Sequence, residues 1–433
     1  MYWNVENFSI NKIDSTVAPE QGDVADDGTQ GTSRLDFLLD TLQPANGAID
    51  LFVLVELKPG SQDNAAGNLV NDLAKRAARQ LLAQIRGNLA NTWCLVPPVV
   101  SGADGRREAV AVYYNSANLR FLGPENGKVY SQRWRDGLPN RNVPNGYPIN
   151  ANVSERTLGG KIVFNSRHAN LLGNIPGNVL NFPNAGFRTP FLTYFGVVGN
   201  PNRLIKVLAY HSSPNQRNAR TADQGTAELA NIWEMSDQPV IGGGGVTEVN
   251  VIVGDFNVDA SDGNFINNGP FADLVAGMGA AHPLAAPYTP LLRIPALFPQ
   301  DDLTYFSTHF KQLKSSHIEN GADPLGRYPG YGYMDLIQGS LDNAFVRVRN
   351  GGAAASNITI FNRVTGTPYN PTHPNAPAGH YQSVTAMGTD LDTMFNDLAN
   401  DPDDYSADEF FWDWGNYGTI RSTSDHVPLI FDV

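Results

Sequence analysis

At 433 residues the chain is long enough for one large α/β domain or two smaller ones. A hydrophobic share of 41% and a mean hydropathy of −0.28 are those of a globular chain, and no run approaches the roughly eighteen apolar residues of a membrane-spanning helix. The net charge of −13 excludes a protein that coats nucleic acid through basic side chains, and one cysteine, Cys94, excludes both an intrachain disulfide and a cysteine-cluster metal site.

The opening MYWNVENF has no basic region ahead of an apolar core. No secretory leader is expected, and cytoplasmic residence is, with secretion left open should a leader have been removed. Tyr2 to Val5 reads as a short strand that ends in Asn4, Glu6 and Asn7. Asp50 to Leu57 is a near-continuous apolar run, hence a central strand covered on both faces, interrupted by Glu56 where a charge is costly unless paired. Apolar residues at spacings of three and four from Asn68 to Ile85 predict an amphipathic helix. Trp93 to Val96 and Ala109 to Tyr114 are strands, the second preceded by Arg107 and Glu108. Phe191 to Val197 and Ile205 to Tyr210 follow, the latter delivering His211, and then a short helix near Ala222 to Met235.

In VIVGDFNVD (Val251 to Asp259), β-branched residues make a buried strand and Gly254 allows a sharp turn. Asp255 and Asn257 then project together from the strand's C-terminal edge, as oxygen ligands or as an Asx turn that closes the strand. Leu341 to Val348 is a strand holding Asp342, and Val427 to Val433 closes the chain behind Ser424-Asp425-His426. Gly242 to Gly245 lacks the Lys-Ser/Thr of a phosphate-binding P-loop. The acidic stretch Asp390 to Glu409 reads as a solvated helix and loop. With no repeat and no dividing linker, residues 1–433 are expected to form one domain with irregular insertions near 15–47, 115–186, 260–335 and 350–420.

Polar residues thus stand at the ends of apolar strands throughout the chain, and a shared site is their simplest common explanation. In order, WNVENF with Asn4, LFVLVEL with Glu56, GDFN with Asp255 and Asn257, SLDNAFV with Asp342 and SDH with Asp425 and His426 resemble the motifs of the endonuclease/exonuclease/phosphatase superfamily. VLAYHSSP with His211, Arg188-Thr189-Pro190 and the Arg107-Glu108 pair are similar to its deoxyribonuclease I-like branch. The inositol polyphosphate phosphatase signature Trp-Cys-Asp-Arg is absent around Asp342.

The resemblance implies a four-layer α/β sandwich, two mixed β-sheets packed face to face with outer helices. It further implies a hydrolase that uses Mg²⁺, with Mn²⁺ or Ca²⁺ as alternatives, held by Asn4, Glu56, Asp255, Asn257 and Asp425. His211, His426, Glu108, Asp255 and Asp342 would be catalytic, and Arg107, Arg188 and Asn257 would bind the substrate phosphate. His211 is expected to pair with Glu108 and Asp342, and His426 with Asp255. Which histidine is the base is left open. The implied activity is an endonuclease that cuts DNA or RNA with little sequence preference and leaves a 5′-phosphate. A sphingomyelinase-like or other small phosphodiesterase, and a non-catalytic binding module, are the alternatives. QRWRDG (132–137), FKQLKSSH (310–317) and RYPGYGYM (327–334) mix basic and aromatic residues, as either a backbone grip or packed insertions. Oligomeric state is left open.

Overall fold

A computed structural model describes residues 1–10, 13, 35, 38–44, 48–58, 72–96, 98, 100–101, 107–122, 188, 190–214, 221–232, 235, 245–260, 263–277, 287–293, 308–310, 337–351, 358–362, 381–383 and 423–433. Strands β1 (Tyr2–Phe8) and β2 (Leu51–Leu57) run parallel at the centre of the first sheet, with Tyr2 level with Val53 and Asn4 with Val55. On one side follow β3 (Trp93–Val96), β4 (Val100–Ser101) and β5 (Glu108–Asn115). The second sheet contains β6 (Leu119–Phe121), β7 (Phe191–Val197), β8 (Asn200–His211), β9 (Thr247–Asp255), β10 (Thr289–Pro290) and β13 (Asp342–Arg349). Its order is β10-β13-β9-β8-β7-β6, with β8 and β9 parallel. Two short strands, β11 (His309–Phe310) and β12 (Ile337–Gly339), pair with each other.

The chain then returns to the first sheet as β14 (Ile358–Asn362), β15 (Tyr381–Ser383) and β16 (Leu429–Phe431), in the order β15-β14-β16-β1-β2-β5-β3 with β4 also on β5. β14 and β15 lie in the span near 350–420 expected to be an irregular insertion, whereas β16 falls within the expected final strand. Buried Ile358 and Ile360 alternate with half-buried Thr359, a period-two pattern too short to stand out among Asn, Gly and Pro. β6, β10 and β11 likewise fall within expected insertions. The basic-aromatic loops, apart from Phe310, and the acidic stretch 390–409 lie outside the described residues.

Strand alternation sorts the layers. Val53, Val207, Val251 and Val253 converge between the sheets, where β1 meets β9 and β2 meets β8. Tyr114 adds an aromatic contact across the same layer, its ring 5.3 Å from that of Phe195. On the outer face of the first sheet Phe52 stacks on Tyr113, whose hydroxyl donates to the Ala78 carbonyl of helix α1 (Asp72–Asn88) at 3.0 Å. Helices α2 (Thr221–Ala227), α3 (Gly263–Asn268) and α4 (Ala272–Ala276) accompany the second sheet. There Phe345 stacks on Phe271 at 4.8 Å, and Phe256 meets both rings edge-on. The result is the four-layer α/β sandwich, with two mixed sheets face to face. The helix expected near Ala222 to Met235 stops at Ala227 and continues as one 3₁₀ turn, Glu228–Asn231. No described helix is long and apolar enough to cross a membrane.

Candidate active site

The second sheet delivers three site residues by register alone. His211 is the partner of Asp255 across β8 and β9, and Asp342 is the partner of Asp255 across β13 and β9. Residues level with one another on adjacent strands face the same way, so all three project between the sheets at one end. Gly254 is needed for close approach and not for the expected turn: a Cβ there would lie 1.8 Å from the Tyr210 carbonyl oxygen. The chain turns one step later, at Asn257 (φ 51°), whose N–H donates to Asp255 Oδ1 at 2.9 Å. The Asx turn and the site carboxylate are therefore the same residue.

The first sheet reaches the site through irregular backbone. Asn4 is level with Val55 on the inner face, so strict alternation would aim Glu56 outward at α1. Register shifts on both flanks of β2, and a φ of 62° at Glu56 itself, make a bulge there. Such a φ costs a non-glycine residue about 1–3 kcal/mol. Glu56 then accepts from Asn4 Nδ2 at 3.2 Å and from the Asn7 N–H at 3.0 Å. Glu108 enters from the start of β5, and Arg107 stands one residue ahead of that strand.

Asp255 is the hub. Its Oδ2 accepts from Asn4 Nδ2 at 3.1 Å and lies 3.4 Å from His211 Nε2 and 3.5 Å from His426 Nε2. Each imidazole is held from behind by its own carboxylate. His211 Nδ1 is 2.8 Å from Glu108 Oε2, and His426 Nδ1 is 2.6 Å from Asp342 Oδ2. The expected pairing of Asp342 with His211 is therefore corrected. β13 sits on the far side of β9 from β8, which brings Asp342 to the C-terminal strand and leaves His211 to Glu108. Asp255 lies between both imidazoles and is private to neither.

The two imidazoles differ electrically. Burial and the neighbouring Arg188 guanidinium push His211 down to about 4. Arg188 Nη1 is 2.7 Å from Nε2, and its Nε is 3.2 Å from Glu108 Oε2. Because guanidinium only donates, Nε2 presents its lone pair and Nδ1 holds the proton toward Glu108. Burial raises Glu108 to about 7, with Arg188 pulling it back. Burial also works against the His426 cation, but Asp342, Asp255 and Asp425 outweigh it and hold His426 well above its ordinary value.

His309 escaped the sequence reading. Its ring lies edge-on to His426 at 4.4 Å, its Nε2 is 3.3 Å from Asp425 Oδ2, and its backbone bridges to residue 426. Buried Thr308 beside it accepts the Asp342 N–H on its hydroxyl at 3.1 Å and the Val427 N–H on its carbonyl at 3.0 Å. A His flanked by Thr and Phe in a loop of no clear period gave only its residue type as a signal. Asn257 stays beside Asp255, its Nδ2 donating to the Ser212 carbonyl at 2.9 Å.

Five carboxylates, Glu56, Glu108, Asp255, Asp342 and Asp425, crowd this end of the sandwich. Three groupings of them with His211, His309 and His426 are tight enough to share an ion. Asn4 supplies the test of fit. Its Oδ1 is buried without a hydrogen-bond partner among the described residues, while its Nδ2 serves Glu56 and Asp255. Turning the amide over would set Oδ1 among carboxylate oxygens, an arrangement that only a cation makes favourable. Asn4, Glu56 and Asp255 thus fit a hard, oxygen-preferring cation such as Mg²⁺.

No protein-family model and no curated protein matches the chain. Among solved structures it is similar to D. rerio TDP2 complexed with single strand DNA product, at 9% identity over 83% of this chain and 88% of that one, TM-score 0.36. An endonuclease/exonuclease/phosphatase family protein from Leptotrichia buccalis C-1013-b is similar at 12% identity over 77% and 86%, TM-score 0.36. The human Nocturnin catalytic domain with bound sulfate anion is similar at 7% over 72% and 74%, TM-score 0.30. At such scores the chemistry has to be taken from this chain's own side chains. Its four-layer sandwich, with the motif residues gathered at one end, is what the resemblance to the endonuclease/exonuclease/phosphatase superfamily implies.

Proposed function

We propose that the chain is a divalent-metal-dependent phosphodiester hydrolase, and that its substrate is a nucleic acid cut with little sequence preference to leave a 5′-phosphate. One observation carries the chemistry: two imidazoles, each backed by its own carboxylate, face a single Asp255 oxygen at 3.4 and 3.5 Å. Hydrolysis of a phosphodiester requires a proton taken from water and one given to the leaving oxygen, on opposite sides of one phosphorus. His211 and His426 are placed to share those two transfers. Glu108 and Asp342 fix the ring tautomers, and Asp255 Oδ2 lies between the two Nε2 atoms.

So many carboxylates would repel a phosphate through Coulomb interaction alone. A divalent cation at Asn4, Glu56 and Asp255 supplies, when bound, the charge that offsets this repulsion and polarises the phosphate oxygens. Arg188, 16% exposed and donating to the Ser212 carbonyl at 3.2 Å, is the cationic side chain that meets the anion from the protein side. The nucleic-acid assignment rests on the sequence resemblance.

The test is nicking of supercoiled plasmid with Mg²⁺, Mn²⁺ or EDTA, beside hydrolysis of bis-p-nitrophenyl phosphate. Metal-dependent nicking that His211→Ala lacks is the expected result. Hydrolysis of the small diester without nicking would refute the nucleic-acid substrate and keep the chemistry. Neither activity from folded, metal-loaded protein would refute both.

A further inference from the structure

His309 stands against His426 and has no part in the two proton transfers. Its ring meets the His426 ring edge-on at 4.4 Å, and its Nε2 is 3.3 Å from Asp425 Oδ2. The other oxygen of that carboxylate, Oδ1, is 3.7 Å from His426 Nε2. One donor atom from each of these three side chains lies within 4.8 Å of the other two. Ligands held at about 2.0–2.2 Å around a tetrahedral ion are roughly 3.3–3.6 Å apart, so the trio closes on one ion with little adjustment.

Both imidazoles are fixed in advance. Residue 309 bridges to residue 426, and β11 pairs with β12. Trp3 Nε1 donates to the His426 carbonyl at 2.8 Å, and the Ser424 hydroxyl oxygen accepts the His426 N–H at 2.9 Å. Asp342 Oδ2 takes His426 Nδ1 at 2.6 Å, which leaves Nε2 as the atom turned to Asp425. A histidine whose second nitrogen is engaged by a carboxylate is the usual form of a metal-ligating imidazole. The His309 and Asp425 side chains are 12% and 18% exposed, so an ion reaches them from solvent.

The other groupings at this end differ in kind. In Glu56, Glu108 and His211, the Arg188 Nη1 lies 2.7 Å from His211 Nε2, a cation where the ion would have to sit. Asp255, Asp342 and His426 set one nitrogen against two carboxylates. Asn4, Glu56 and Asp255 offer oxygen only. Among these groupings, only His309, Asp425 and His426 combine two nitrogens with one carboxylate, the set that favours Zn²⁺ where oxygens alone favour Mg²⁺. The sequence resemblance placed Asp425 among the oxygen ligands and gave His309 no role.

We propose that His309, Asp425 and His426 form a second cation site, selective for Zn²⁺, whose occupation switches off the phosphodiester hydrolysis argued above. The ion takes the lone pair of His426 Nε2, the atom that has to hold or release a proton in that reaction, so the ring can no longer do either. The inhibition rests on the preceding functional reading. The site itself does not.

The test titrates Zn²⁺ into the full chain in a large excess of Mg²⁺, with binding read by calorimetry and hydrolysis of bis-p-nitrophenyl phosphate read in parallel. The wild type should bind one Zn²⁺ and lose at least about tenfold in rate, with recovery on adding a zinc-selective chelator. His309→Ala should bind Zn²⁺ at least about tenfold more weakly. His309→Gln, which keeps the volume, should do the same and stands in if the alanine variant fails to fold. Measured against its own zinc-free rate, each variant should need at least about tenfold more Zn²⁺ for the same inhibition. Unchanged Zn²⁺ affinity in both His309 variants would overturn the site. Zinc bound through His309 with no loss of rate, or inhibition that the variants leave untouched, would overturn the switch. If the wild type hydrolyses no phosphodiester, the functional reading fails and the switch with it, and calorimetry still decides the cation site.

Discussion

The two sheets bring their share of the site to one place by opposite means. In the second, His211, Asp255 and Asp342 form a single transverse row across three strands whose register is unbroken to the end. In the first, Glu56 arrives through a bulge with a positive φ, and Asn7 beside it is also left-handed. Regular pairing sets the imidazole and carboxylate row with no strain in that backbone. The first sheet stores strain at Glu56, which is where a charge has to be aimed against the natural direction of its strand.

The contrast is broken most severely at Gly254. Gly254→Ala puts a methyl group against the Tyr210 carbonyl, so β8 and β9 have to part; a loss above about 3 kcal/mol is expected in denaturant titration. Stability within 1 kcal/mol of wild type would refute the close-approach argument. Asp255→Asn keeps the shape of the row and removes its shared charge, and kcat is expected to fall at least about a thousandfold in single-turnover assays. His211→Ala and His426→Ala should each cost about 10²–10⁴ in rate, and a loss under tenfold for either would remove that ring from proton transfer. The first sheet answers with the opposite sign. Glu56→Gly should abolish the Mg²⁺ dependence and yet stabilise the fold by about 1 kcal/mol, because glycine accepts the positive φ without strain. Glu56→Gln should lose the cation and gain no such stability, as seen by metal titration beside thermal melts. Equal stability of the two variants would refute stored strain.

The same contrast explains what could be read from the sequence. The ends of β3 and β7 fall where the apolar runs end, and β2 and β5 are off by one residue, because buried strands carry their own boundaries. Asn4, Glu56, Glu108, His211, Asp255, Asp342 and His426 stood out as polar residues at apolar strand ends, and they do converge. What stayed hidden is which carboxylate serves which imidazole, since that follows from strand order and not from strand content. Short strands such as β14 and β15 were lost among loop residues. His309 was missed for want of any period around it.

Trp3 and His426 are joined by a hydrogen bond that spans 423 residues of chain. Closing so large a loop is entropically slow, whereas Asp342 and His309 reach His426 across far shorter spans of chain. During synthesis the early strands therefore emerge with one imidazole arm missing. A nascent chain still lacking residue 426 holds only one of the two imidazoles of the proposed acid–base pair.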